Sequence, residues 1–146
     1  MDAGQGGRGG REGDLDAGTL TAVDRRRASS GSPYEPTIGF SRAIRIGERV
    51  LVSGTGPVGA DEADVATQMR RCVEIVGQAL SELGGSLGDV VRTRTYLLDA
   101  ADWEAVGRVH GEAFGEARPA ATMVVVKGLL DPRWSVEFEA EALVRS

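Results

Sequence analysis

The sequence predicts an α+β domain, a mixed β-sheet with two helices on one face. Three observations lead there. Residues 134–144 alternate without a break. Trp134, Val136, Phe138, Ala140, Ala142 and Val144 fall on one side, and Ser135, Glu137, Glu139 and Glu141 on the other. That period of two belongs to a half-buried strand. Residues 64–83 and 99–115 instead repeat their apolar positions at three and four, the spacing of amphipathic helices. The element order is hairpin, helix, strand, helix, strand, strand, which combines an antiparallel pair with helix–strand alternation.

Taken in order, residues 1–33 are rich in Gly, Ser, Arg and Asp and show no periodicity. They are expected to be a disordered tail before a folded domain at 34–146, because such a composition buries too little apolar surface to offset ordering entropy. Arg25, Arg26 and Arg27 are read either as a dock for an anion or as a solvated charge run. Residues 41–53 read as a hairpin, with Ala43–Ile46 and Val50–Ser53 as arms and Gly47-Glu48 as the turn. Ser53-Gly54-Thr55-Gly56-Pro57 follows; a glycine-rich strand end admits a ligand to the backbone or makes a tight bend.

The first helix carries Val65, Met69, Cys72, Val76, Ala79, Leu80 and Leu83 as its stripe, with Asp64 as N-cap and Gly84-Gly85 at its end. Cys72 on that stripe is expected to be a small core hydrophobe. Residues 89–98 form a strand with Arg92, Arg94 and Tyr96 on one face. The second helix places Trp103, Val106, His110 and Phe114 together, and Gly107, Gly111 and Gly115 suggest close packing against a sheet as much as weak helicity. A Pro-led β-branched strand, Arg118–Val126, precedes the alternating one. With no third helix, the free sheet face, including Val91, Thr93 and Tyr96, is expected to be covered by another copy of the chain.

Totals limit the function. A chain of 146 residues makes one domain, and its net charge of −5 argues against nucleic acid, which rewards clustered Lys and Arg. Its single cysteine excludes an internal disulfide framework and a cysteine-based zinc site. No apolar run approaches a membrane span and the N-terminus lacks a signal-like core, so a cytoplasmic protein is expected. Neither a cofactor nor a metal is expected.

Five segments resemble, in order, motifs of the RidA (YjgF) family. Residues 38–47 (IGFSRAIRIG) resemble its opening G-P-Y-S-Q-A-V-R-V-G, residues 52–57 its V-S-G-Q-I-P turn, and residues 89–93 its D-V-V-K-T strand. Residues 118–122 (RPAAT) resemble R-P-A-R-S/T, and residues 136–140 (VEFEA) resemble V-E-I-E-A. The resemblance spans about residues 37–144. It implies a chorismate-mutase-like fold, a homotrimer with its sheets packed into a central barrel, and small-molecule clefts between subunits. Members with the full motif hydrolyse reactive enamines and imines to 2-oxo acids and ammonia.

The same resemblance implies the site. Glu137 matches the glutamate that handles water, with Ser53, Gly54 and Thr122 at matching positions. Two positions depart: Ala121 stands where the carboxylate-binding arginine falls, and Phe40 stands for the tyrosine without its hydroxyl. A guanidinium fork binds a carboxylate in a way alanine cannot. Arg42 falls at the usual glutamine. Arg118 and Arg133 flank Ala121 and are candidates for a relocated anion clamp, and Arg94 could reach the cleft from a neighbouring subunit. His110 is read as a packing residue. The function expected first is a deaminase-like hydrolase of an altered imine or enamine. A non-catalytic metabolite-binding trimer comes second, and a ribonuclease or translation inhibitor third.

Overall fold

The computed structural model describes residues 25–145. Its strands are β1 (Arg25–Ala28), β2 (Ala43–Ile46), β3 (Arg49–Thr55), β4 (Val90–Leu97), β5 (Ala120–Val125) and β6 (Val136–Leu143). Its helices are α1 (Val65–Glu82) and α2 (Trp103–Phe114). The strands make one sheet in the order β1-β2-β3-β6-β4-β5. Every pairing is antiparallel except β4 with β5, which α2 connects as a parallel crossover.

The local signals act as the residue types dictate. Gly47 has φ +62°, and Ile46 pairs with Arg49 across the two-residue turn. The Asp64 carboxylate accepts the Thr67 amide at 2.8 Å and caps α1. At the other end Gly84 has φ +85°, while the Gly84 amide donates to Ser81 O at 3.2 Å and the Gly85 amide to Leu80 O at 2.8 Å. That pair of bonds is a Schellman ending.

One face of the sheet is dry. Val50, Val90, Leu97, Val136, Phe138 and Ala142 are buried there against Met69, Cys72, Val76 and Leu80 of α1 and Val106 and Phe114 of α2. Cys72 sits in this core, and burial pushes its thiol up to about 12, so it behaves as a hydrophobe. The loop ahead of α1 is tied to the start of β6 by Gln68, and by the Trp134 indole, which donates to Asp61 Oδ1 at 2.8 Å. Buried Gln68 donates to the carbonyls of Asp61, Ala63 and Arg133 and accepts the Ser135 amide at 2.7 Å.

Four expectations need correcting. The tail was expected to run to residue 33, yet Arg25–Ala28 pairs along β2 in the register Arg27 to Ile44, and only Ala28 is buried. A strand whose other three residues are exposed arginines has no apolar periodicity to announce it; its order comes from the β2 edge. The rest of the expected tail, 1–24, lies outside the described residues. Trp103 is 59% exposed, while Val109, outside the expected stripe, is buried. A Cβ at Gly107 or Gly111 would meet nothing within 4 Å, so these glycines do not mark close packing within the chain. Thr93 points to the helix side, where its hydroxyl meets His110 Nε2 at 2.8 Å.

The opposite face has no covering element among the described residues. It carries Leu51 and Ser53 of β3, Glu137, Glu139 and Glu141 of β6, Arg94 and Tyr96 of β4, and exposed Val124 of β5.

Candidate functional site

Glu137 reaches the uncovered face because its neighbours Val136 and Phe138 are buried on the other. It stands opposite Tyr96 on β4. The pairing of β3 with β6 shifts register between Val52 and Thr55, which brings Gly54 over the carboxylate. A Cβ at Gly54 would lie 2.4 Å from Glu137 Oε2, so a side chain there fits only if the carboxylate moves aside.

Arg42, just ahead of β2, closes the same corner. Its Nη2 donates to Ser53 O at 2.8 Å and to Gly54 O at 2.6 Å. Its Nε–H is buried and has no hydrogen-bond partner among the described residues. Burial raises the Glu137 carboxyl above its ordinary range; Arg42 pulls it back and Glu139 pushes it up further. Burial likewise lowers Arg42, against the pull of Glu35 and Glu137. A half-buried carboxyl with an elevated pKa is suited to taking a proton from water and returning it to a leaving group.

Beside it lies a polar lattice. Tyr96 Oη donates to Glu139 Oε1, and that bond, with burial, raises the phenol, so Tyr96 stays a proton donor. Arg94 pairs with Glu139 at 3.3 Å and with Glu141 at 3.6 Å. Two of the three carboxylates of β6 are thus engaged in this lattice, while Glu137 has no ion pair of that kind among the described residues.

The other expected residues divide. Phe40 follows a single π-helical turn, Glu35–Gly39, and lines a cleft of about 440 Å³ with Arg27, Ser29, Glu35, Pro36 and Ser41. Buried Glu35 accepts hydrogen bonds from the Ser30 hydroxyl and amide and from the Ser29 hydroxyl, which hold it below the usual carboxylate range. Ser53 is half-buried and its hydroxyl donates to Ser41 O at 2.6 Å. Thr122, opposite Arg94 on exposed β5, lies on the Glu137 face. Ala121 does not. It pairs with Thr93, on the side of the helices, so one chain does not bring Ala121 and Glu137 together.

Nor does the structure assemble the three candidate arginines around Glu137. The Arg133 fork is taken by Asp131, with Nη2 at 2.7 Å and Nε at 3.0 Å, and Asp61 stands 3.8 Å away. The guanidinium drives Asp131 down to about 2. Arg94 is held by its two glutamates. Arg118, at φ +50°, lines a separate cleft of about 390 Å³ with His110, Gly111, Phe114, Gly115 and Pro119. His110 is half-buried, 4.8 Å from the Phe114 ring, and burial lowers its pKa. Sequence reasoning left Arg42 out of the site, although its position was visible as a departure from the family's glutamine.

Comparisons with known proteins bear on the family and the fold. The model of one protein family, described as Endoribonuclease L-PSP, matches residues 31–144. An uncharacterized protein of Streptomyces coelicolor is 39% identical over 127 residues, 84% of this chain and 95% of that one. The 3-aminoacrylate deaminase RutC of Acinetobacter baylyi is 36% identical over 117 residues, 77% of this chain and 90% of that one. A crystal structure from Mycobacterium tuberculosis, of a member of the YjgF/YER057c/UK114 family, superposes with a TM-score of 0.78 at 45% identity, covering 83% of this chain and all of that one. With a family model matched over residues 31–144 and a solved family member superposing over most of the chain, the chain belongs to the Endoribonuclease L-PSP family, the YjgF or RidA family.

Proposed function

We propose that this protein is a hydrolase that deaminates a reactive enamine or imine in a cleft between the subunits of a homotrimer. Glu137 carries the reading: a half-buried carboxyl with a raised pKa, roofed by Gly54 and open to solvent on a sheet face with no cover of its own. Water attacks the C=N carbon while Glu137 takes its proton. Glu137 returns that proton to the nitrogen, and the resulting carbinolamine collapses to a carbonyl and ammonia as its hydroxyl gives up its own proton to solvent. An enamine enters the same course after protonation at carbon. The likeness to a 3-aminoacrylate deaminase supports the substrate class.

The same placement supports a cleft built from more than one chain. Ala121 and Glu137 lie on opposite faces of one sheet, so a cleft walled by both positions draws them from two chains. Exposed Val124, Val125 and Leu143 offer apolar surface for that contact.

Ala121 favours a second reading, a trimer that binds a metabolite without turning it over. Hydrolysis of RNA is a weaker reading, because a chain of net charge −5 lacks the basic surface that phosphates reward. Ammonia release from 2-aminoacrylate generated in situ separates them. Release by the wild type, reduced about 100-fold or more in Glu137→Gln, is expected. No release from this substrate or its imine, together with a metabolite that raises the melting temperature, would replace hydrolysis by binding. Ala121→Arg is expected to outpace the wild type on carboxylated imines.

A further inference from the structure

Arg42 is a half-buried cation that the chain does not answer. It makes no ion pair among the described residues, and its Nε–H is shielded from water without a partner. The two carboxylates that act on it across space are Glu35 and Glu137. Glu35 is already engaged by Ser29 and Ser30, and Glu137 faces the open cleft. A guanidinium in such surroundings is unfavourable unless an anion meets it. The carbonyls of Ser53 and Gly54 take the Nη2 hydrogens, so the guanidinium is fixed before a ligand arrives, with Nη1 left to meet it.

The other cations near the cleft are less available. Arg94 and Arg133 are neutralised by Glu139, Glu141 and Asp131, and Arg118 lies on the helix side of β5. We infer that Arg42 is the anion-binding residue of the Glu137 cleft, and that it takes the carboxylate of a 2-imino or 2-oxo acid in a chain whose position 121 is alanine. The ligand carboxylate reaches the part of the side chain that solvent still touches. The missing partner at Nε increases the gain from a counter-anion there. The bound carboxylate in turn favours the protonated form of Glu137, the form that donates to the leaving nitrogen.

The inference rests on the proposed site but is tested apart from turnover. Pyruvate and its amide are titrated calorimetrically into the full chain, as wild type, Arg42→Gln and Arg42→Lys. Pyruvate is expected to bind the wild type, to weaken about tenfold or more in Arg42→Gln, and to fall between in Arg42→Lys, which keeps the charge but not the fork. Pyruvamide is expected to bind all three alike. Equal pyruvate affinity in wild type and variants, or no pyruvate binding by the wild type, overturns the assignment. Should Arg42→Gln fail to fold, the lysine variant alone decides, since the amide controls for general damage. A protein that binds pyruvate through Arg42 yet releases no ammonia keeps this assignment and loses the hydrolase reading. One that releases ammonia while binding pyruvate equally well without Arg42 does the reverse.

Discussion

Glu137 owes its properties to the atoms around it. Burial beside Glu139 disfavours its charge more than Arg42 favours it, so its pKa is above the ordinary 4.5 in the folded chain. The folded state therefore holds this proton more tightly than the unfolded state, and the group's contribution to stability falls as pH rises from 4.5 through the folded pKa. Glu137→Gln is expected to be more stable than the wild type at pH 7, with the advantage shrinking on acidification toward 4.5. Urea midpoints of the two proteins across that range check it; a variant less stable at pH 7 would show that the Arg42 attraction outweighs burial. Gly54→Ala is expected to force the Glu137 carboxylate aside and cost most of the activity, at a stability cost of about 1 kcal/mol. Alternation made Glu137 legible from sequence. The role of Arg42 was not, because it depends on carbonyls brought close by hairpin pairing and an irregular strand.

At the scale of elements, the parts that the sequence announced were those whose signals are local. The hairpin turn at Gly47 and the capped helix α1 each carry their own start and stop residues. Gly84→Ala, at φ +85°, is expected to cost about 1 kcal/mol by straining the Schellman ending. Gln68→Leu is expected to cost roughly 2–4 kcal/mol, since it strands several buried backbone groups and loosens the loop at residues 56–63 from β6. Thermal melts measure both; a Gln68→Leu melt equal to the wild type would mean that water or the loop itself can take over those bonds. Where a signal was non-local the reading slipped. Strand β1 gains its order from the edge of β2, and Trp103 kept the helical period without facing the core.

The molecule as a whole is one-sided. Two helices fill one face of the sheet, while the other shows half-buried charges, exposed Val124 of the β5 edge, and Leu143. A surface of that kind is expected to be covered by copies of the chain, and light scattering is expected to give three times the 15.3 kDa of one chain. A monomeric mass would remove the cleft on which the proposed chemistry depends. The family frame was legible because five motifs keep their order along the chain, and the choice of ligand was not, because Ala121 and Phe40 depart where recognition is decided.

The most direct test follows ammonia release from freshly generated 2-aminoacrylate by the wild type and Glu137→Gln at equal concentration. The account predicts release by the wild type and a fall of about 100-fold or more in the variant; equal rates in the two would contradict it.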